Sequence, residues 1–120
     1  MALAAAEVAS EKKAEDIVAV DVADLLMVTD YFIICTGRSD RQVRAMADEI
    51  EEVLRERAGI KSIGREGDED GRWVLVDFVD IVLHVFQPND REFYRLEKLW
   101  SDAPRLELPE SLNISAAVSE

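Results

Sequence analysis

A continuous apolar run, Tyr31 to Thr36, stands between Asp30 and Gly37, and a sharply patterned helix follows it at once. Such a run is the signature of a strand buried on both faces, so the rest of the chain must cover it on two sides. The helix start is marked by Ser39 and Gln42, an S-x-x-Q capping-box pattern. Val43, Met46, Ala47, Ile50, Val53 and Leu54 follow at steps of three and four and form one apolar stripe. Gly59 suits the C-cap. The opposite face carries Arg41, Arg44, Asp48, Glu51, Glu52 and Arg55 and reads as solvated surface.

A second constraint comes from two strand-like runs, Arg72 to Phe78 and Ile81 to Gln87, around Val79-Asp80. With those two residues as the turn, Phe78 faces Ile81, Val76 faces Leu83 and Val74 faces Val85. These six apolar residues share one face, which must be core. On the other face Trp73 lies opposite Phe86, Leu75 opposite His84 and Asp77 opposite Val82. That mixed face is either covered by a helix or offered to a partner.

The remaining elements read more simply. Residues 2–15 are rich in Ala, Glu and Lys and predict a helix, with apolar spacing weak enough to imply loose packing. Ile17 to Val22 is β-branched and strand-like, and Asp24 to Thr29 is a connection. Ile60 to Arg65 can supply a short strand. The acidic loop Glu66 to Gly71 lacks the alternating ligands of a calcium loop and reads as a solvated turn. After Pro88, Asn89 is expected to cap a helix from Asp90 to Trp100. Beyond it the period dissolves, which divides the chain into one domain over residues 1–102 and a flexible acidic tail over 103–120.

Charge narrows the function. Fourteen basic against 26 acidic residues leave a net charge of −12, a poor start for gripping bare nucleic acid. The same balance favours a basic partner. A single cysteine excludes an internal disulfide and any multi-thiolate zinc site, and points to the cytoplasm. No apolar run approaches the roughly 18–20 residues of a membrane span, and the N-terminus lacks the basic start of a signal peptide. Cys35 with His84 is a conceivable nucleophile pair, but a cysteine within a buried strand is ordinarily a small core hydrophobe. Gly37-Arg38-Ser39 before a helix resembles a phosphate-cradling turn yet matches no phosphate-binding motif. Asp77 and Asp80, three apart and flanking a turn, lack the D-x-D spacing that holds magnesium in nucleotidyltransferases. No metal, cofactor or catalytic residue is therefore assigned.

Asp30 to Glu52 closely resembles the first signature of the ribosomal silencing factors, the RsfS or iojap-like family. Gly71 to Trp100 resembles the second, with Trp-Val-Leu-Val-Asp, Val-Leu-His-Val-Phe, Arg-Glu-Phe-Tyr and Leu-Glu-Lys-Leu-Trp in order. Val79 stands where that family commonly has glycine, and Arg38 where asparagine is frequent. The resemblance implies an α/β fold, a single domain whose mixed β-sheet is flanked by helices, nucleotidyltransferase-like but without its catalytic residues. It implies a translational repressor, not an enzyme, that binds the fourteenth protein of the large ribosomal subunit and blocks joining of the small subunit when nutrients are short. Little direct RNA contact is expected, and dimerisation of the free protein is left open. A nucleotide-binding or nucleotidyl-transferring enzyme, or an assembly factor that does not block joining, are the competing readings. The mixed hairpin face and the helix after it are the expected partner surface, through Trp73, His84, Phe86, Arg91, Tyr94 and Lys98.

Overall fold

The capped helix organises one layer. The computed structural model describes residues 2–11, 13–23 and 29–94. Helix α2 spans Asp40–Ala58, with Ser39 in extended backbone as its N-cap and Ser39 Oγ accepting from Gln42 N at 3.0 Å. Gln42 Oε1 reaches back to the N–H of Arg38, one residue before the cap, rather than to the cap itself. Gly59 is left-handed at φ 67°, and the N–H groups of Gly59 and Ile60 satisfy the carbonyls of Arg55 and Leu54. Val43, Met46, Ala47, Ile50 and Leu54 are buried as their spacing predicts, while Val53 packs at the margin.

The sheet has five strands: β1 (Glu15–Asp21), β2 (Tyr31–Thr36), β3 (Gly64–Glu66), β4 (Trp73–Asp77) and β5 (Ile81–Phe86), in the spatial order β1-β2-β5-β4-β3. Among the described strands only the β2–β5 pair is parallel; the other three are antiparallel. The central place of β2 explains its apolar run, because Ile33 and Cys35 enter the core on one face while Ile34 enters a second cluster on the other. The β4–β5 register is the one counted from the turn, with Trp73 opposite Phe86, Leu75 opposite His84 and Val76 opposite Leu83.

The turn itself departs from a plain two-residue loop. Val79 adopts φ 79°, and the Asp80 N–H returns to the Phe78 carbonyl at 3.1 Å, closing a three-residue γ-turn. The Asp77 carboxylate accepts from Val79 N, and the Asp80 carbonyl accepts from both Asp30 N and Tyr31 N. The tip is therefore welded to the start of β2.

Helix α1 (Ala2–Glu11) ends four residues earlier than its composition suggests, and β1 begins two residues earlier. Its expected loose packing is wrong. Ala5, Ala6 and Ala9 have no exposed surface and Val8 almost none, because small side chains let α1 sit close on α2 and β1. The short strand predicted at Ile60 begins at Gly64. Helix α3 (Pro88–Tyr94) starts on the proline, with Arg91 N donating to Gln87 O, so Gln87 rather than Asn89 stands at the cap. The expected continuation of this helix to Trp100, and the tail over 103–120, lie outside the described residues.

The acidic loop is more than a solvated turn. Asp68 accepts from Arg65 Nε at 2.8 and 3.0 Å through its two oxygens, and its carbonyl accepts from Arg44 Nη1 at 3.1 Å. Arg65 also reaches Asp48 at 2.7 Å and Glu51 at 3.2 Å on α2. Part of the charged face of α2 is thus used to strap β3 and its loop.

Candidate partner interface

The two faces of the sheet are unequal. Both α1 and α2 cover the face formed by Ile17, Ala19, Ile33, Cys35, Val74, Val76, Ile81, Leu83 and Val85. The other face is built in cross-strand rows set by the register: Val20, Phe32, Val82 and Asp77; Val18, Ile34, His84 and Leu75; then Thr36, Phe86 and Trp73. Val18, Val20, Ile34, His84 and Phe86 are buried, whereas Phe32, Trp73, Leu75, Asp77 and Val82 are half-buried.

Trp73 stacks on Phe86 with ring centroids 4.8 Å apart, and its Nε1–H donates to His84 Nδ1 at 3.1 Å. The stack and the hydrogen bond fix both the plane and the direction of the indole. Phe32 meets His84 edge-on at 4.7 Å from the opposite side. Because Nδ1 is an acceptor, the imidazole proton belongs on Nε2, which is buried with no hydrogen-bond partner among the described residues. Burial holds the imidazole neutral and pushes its pKa down to about 4.

The structure thus gathers three of the six expected residues, Trp73, His84 and Phe86, into one aromatic cluster. Phe86 has no exposed surface in the free chain and backs the Trp73 ring. Arg91 adjoins the same rows from α3: its Nη1 donates to Thr36 Oγ1 at 2.8 Å and to the Asp16 carbonyl at 2.6 Å. Tyr94 ends α3, its side chain outside the described structure, and Lys98 lies outside the described residues. Phe32 completes the face, and the sequence carries no signal for it, because only the β2–β5 register sets it beside Val82.

The chemistry considered from sequence is separated by this geometry. Cys35 and His84 point to opposite faces, since His84 is paired with Ile34 and Cys35 with Val85. Burial pushes the Cys35 thiol up to about 12, far from a reactive thiolate. At the start of α2 the N–H groups of Arg38 and Gln42 are already taken by Gln42 Oε1 and Ser39 Oγ, and Asp40 sets a carboxylate in the first turn. Among the described residues no three of His, Cys, Asp and Glu are grouped to hold a metal ion, and no helix is long and apolar enough to cross a membrane.

The family model described as "Ribosomal silencing factor during starvation" matches residues 1–120. A ribosomal silencing factor of Bacillus subtilis is 48% identical over 109 residues, spanning 91% of this chain and 92% of the relative. A crystal structure from Chromobacterium violaceum superposes with a TM-score of 0.76 at 40% identity, covering 81% of this chain and 80% of the other. Another, from Bacillus halodurans, gives 0.75 at 43% identity over 88% and 94% of the two chains.

Proposed function

This chain belongs to the ribosomal silencing factor family, and from that premise we propose that it represses translation by binding the large ribosomal subunit and excluding the small one. The partner is the subunit's fourteenth protein, and the work is steric. A folded domain of about 100 residues has a radius of gyration near 13 Å. A body of that size seated on the joining face keeps the two subunits apart without any bond being made or broken. No catalytic group, metal or cofactor enters the mechanism, and the protein acts in the cytoplasm, where subunits join.

The single observation that carries the contact surface is the half-buried aromatic and aliphatic face around Trp73. A tryptophan locked by a stack and a hydrogen bond loses little conformational freedom on docking, which makes it a strong interface anchor. Leu75, Val82 and Phe32 add apolar area beside it, and His84 and Phe86 hold it in place from beneath. Arg91 on α3 extends the surface, and Tyr94 and Lys98 are added to it from the sequence alone. The net charge of −12 suits a basic ribosomal protein and opposes RNA as the main contact.

Sedimentation of purified subunits with and without the protein tests this reading. The expected result is co-sedimentation with large subunits and a shift from joined to free particles. Binding that leaves joining intact would identify an assembly role instead, and tight binding to protein-free ribosomal RNA would refute the protein–protein contact. Magnesium-dependent turnover of ATP or CTP would favour the enzyme reading.

A further inference from the structure

Among the described residues two large apolar side chains stand exposed, Ile63 at 68% and Val79 at 48%. They are neighbours in the fold. Ile63 N donates to the Asp77 carbonyl at 2.8 Å, and Val79 N donates to the Asp77 carboxylate at 2.8 Å. Single exposed apolar residues need no explanation, but a pair gathered on one residue at one corner of the sheet forms a patch.

Val79 carries a second, independent signal. A β-branched residue at φ 79° is a backbone outlier, since its Cβ crowds the following carbonyl. Glycine would sit there without that strain. Half-exposed as it is, the side chain has little core burial to offset the strain. Strain that the fold does not require points to a function for the side chain. The tip is also rigid, held by the Phe78–Ile81 and Asp80–Phe78 hydrogen bonds and by the Asp80 carbonyl's bonds to Asp30 and Tyr31.

We infer that Val79 and Ile63 form a second contact on the same basic large-subunit protein, taking the methylene stem of one of its Lys or Arg side chains. Such a stem covers apolar surface while its charged head seeks an anion. Asp80 and Asp30 are exposed at this corner and Asp77 is half-buried, so carboxylates border the patch. Lys61, the exposed cation two residues before Ile63, lines a cleft with Asp48, Glu51, Glu52 and Arg55 of α2. The Asp77–Val82–Phe32 row ends at this corner and lies on the same sheet face as Trp73, two rows away from it. The inference rests on the large-subunit reading above and narrows it to the corner that Val79 and Ile63 form.

The test uses the full chain and purified large subunits, with Val79→Gly and Ile63→Ser compared to the natural protein for binding and melting. Val79→Gly is expected to melt higher, from relief of strain, yet to bind about fivefold more weakly. Ile63→Ser should melt within a degree or two of the natural protein and bind about tenfold more weakly, in line with loss of a partly exposed aliphatic contact. If the natural protein binds and both variants bind equally well, the corner is not a contact and the large-subunit reading survives. If the natural protein does not bind large subunits, both fall. A free-protein dimer weakened by the variants, with ribosome binding unchanged, would assign the corner to a second copy and overturn the inference. A lower melting temperature for Val79→Gly would remove the strain argument.

Discussion

Acidification should destabilise this protein through its single histidine. His84 is neutral in the fold because burial pushes its pKa from 6.5 to about 4, while the unfolded chain retains the ordinary value. Between those values the unfolded state takes up a proton that the folded state refuses, so stability present above pH 6.5 is lost as pH falls towards 4. At pH 5 the solution lies 1.5 units below the unfolded value, which at 1.36 kcal/mol per unit costs about 2 kcal/mol relative to pH 7. That is a large share of the roughly 5–15 kcal/mol that keeps a small domain folded. Other groups titrate as well, so the measurement is a comparison of urea unfolding at pH 7 and pH 5 for the natural protein and His84→Asn. The natural protein should lose about 2 kcal/mol more than the variant, a difference of about 1 M in midpoint for a slope near 2 kcal/mol/M. Because the chain has one histidine, its ring proton resonance reports the same event directly, and should titrate below pH 5. Equal pH slopes for the two proteins, with a resonance titrating near 6.5, would refute the burial argument.

Three further outcomes are expected. Gly67→Ala should cost about 3 kcal/mol or more in chemical denaturation, because at φ 95° its new Cβ would lie 2.0 Å from the Trp73 carbonyl oxygen. Ser39→Ala removes the cap bond to Gln42 N and should cost about 1 kcal/mol by the same assay. Cys35 should resist a thiol-reactive dye in the native protein and react promptly in denaturant; fast native labelling would contradict its burial.

The parts of the fold that were legible in the sequence are those governed by short periods. The β4–β5 register follows from alternation about one turn, and the buried stripe of α2 follows from steps of three and four between a serine cap and a glycine. Alternation cannot say which distant strand lies beside β5, so the place of Phe32 next to Val82 was invisible and the candidate face lacked one aromatic. Helix α1 was misjudged because periodicity weighs large residues, whereas Ala5, Ala6 and Ala9 pack by being small. The acidic loop looked solvated because nothing local announces that Arg65 and Arg44 will clamp Asp68. Of the candidate contact residues, Trp73, His84 and Phe86 were grouped correctly by counting. The engagement of Arg91 with Thr36 and the Asp16 carbonyl required the three-dimensional meeting of β1, β2 and α3.

The one parallel pair has a consequence for how the chain reaches this state. Every β2–β5 partner is fifty positions away, from Tyr31 with Ile81 to Thr36 with Phe86. Closing so long a loop carries an entropic cost before any pairing returns it, so the step is slow compared with forming α2 or the hairpin. During synthesis β1 and β2 emerge well before β5 exists, leaving the inner edge of β2 unpaired. An apolar strand edge in that condition is open to pairing with another chain. Refolding at high protein concentration should therefore lose yield to aggregates, and a fragment ending before Ile81 should be insoluble.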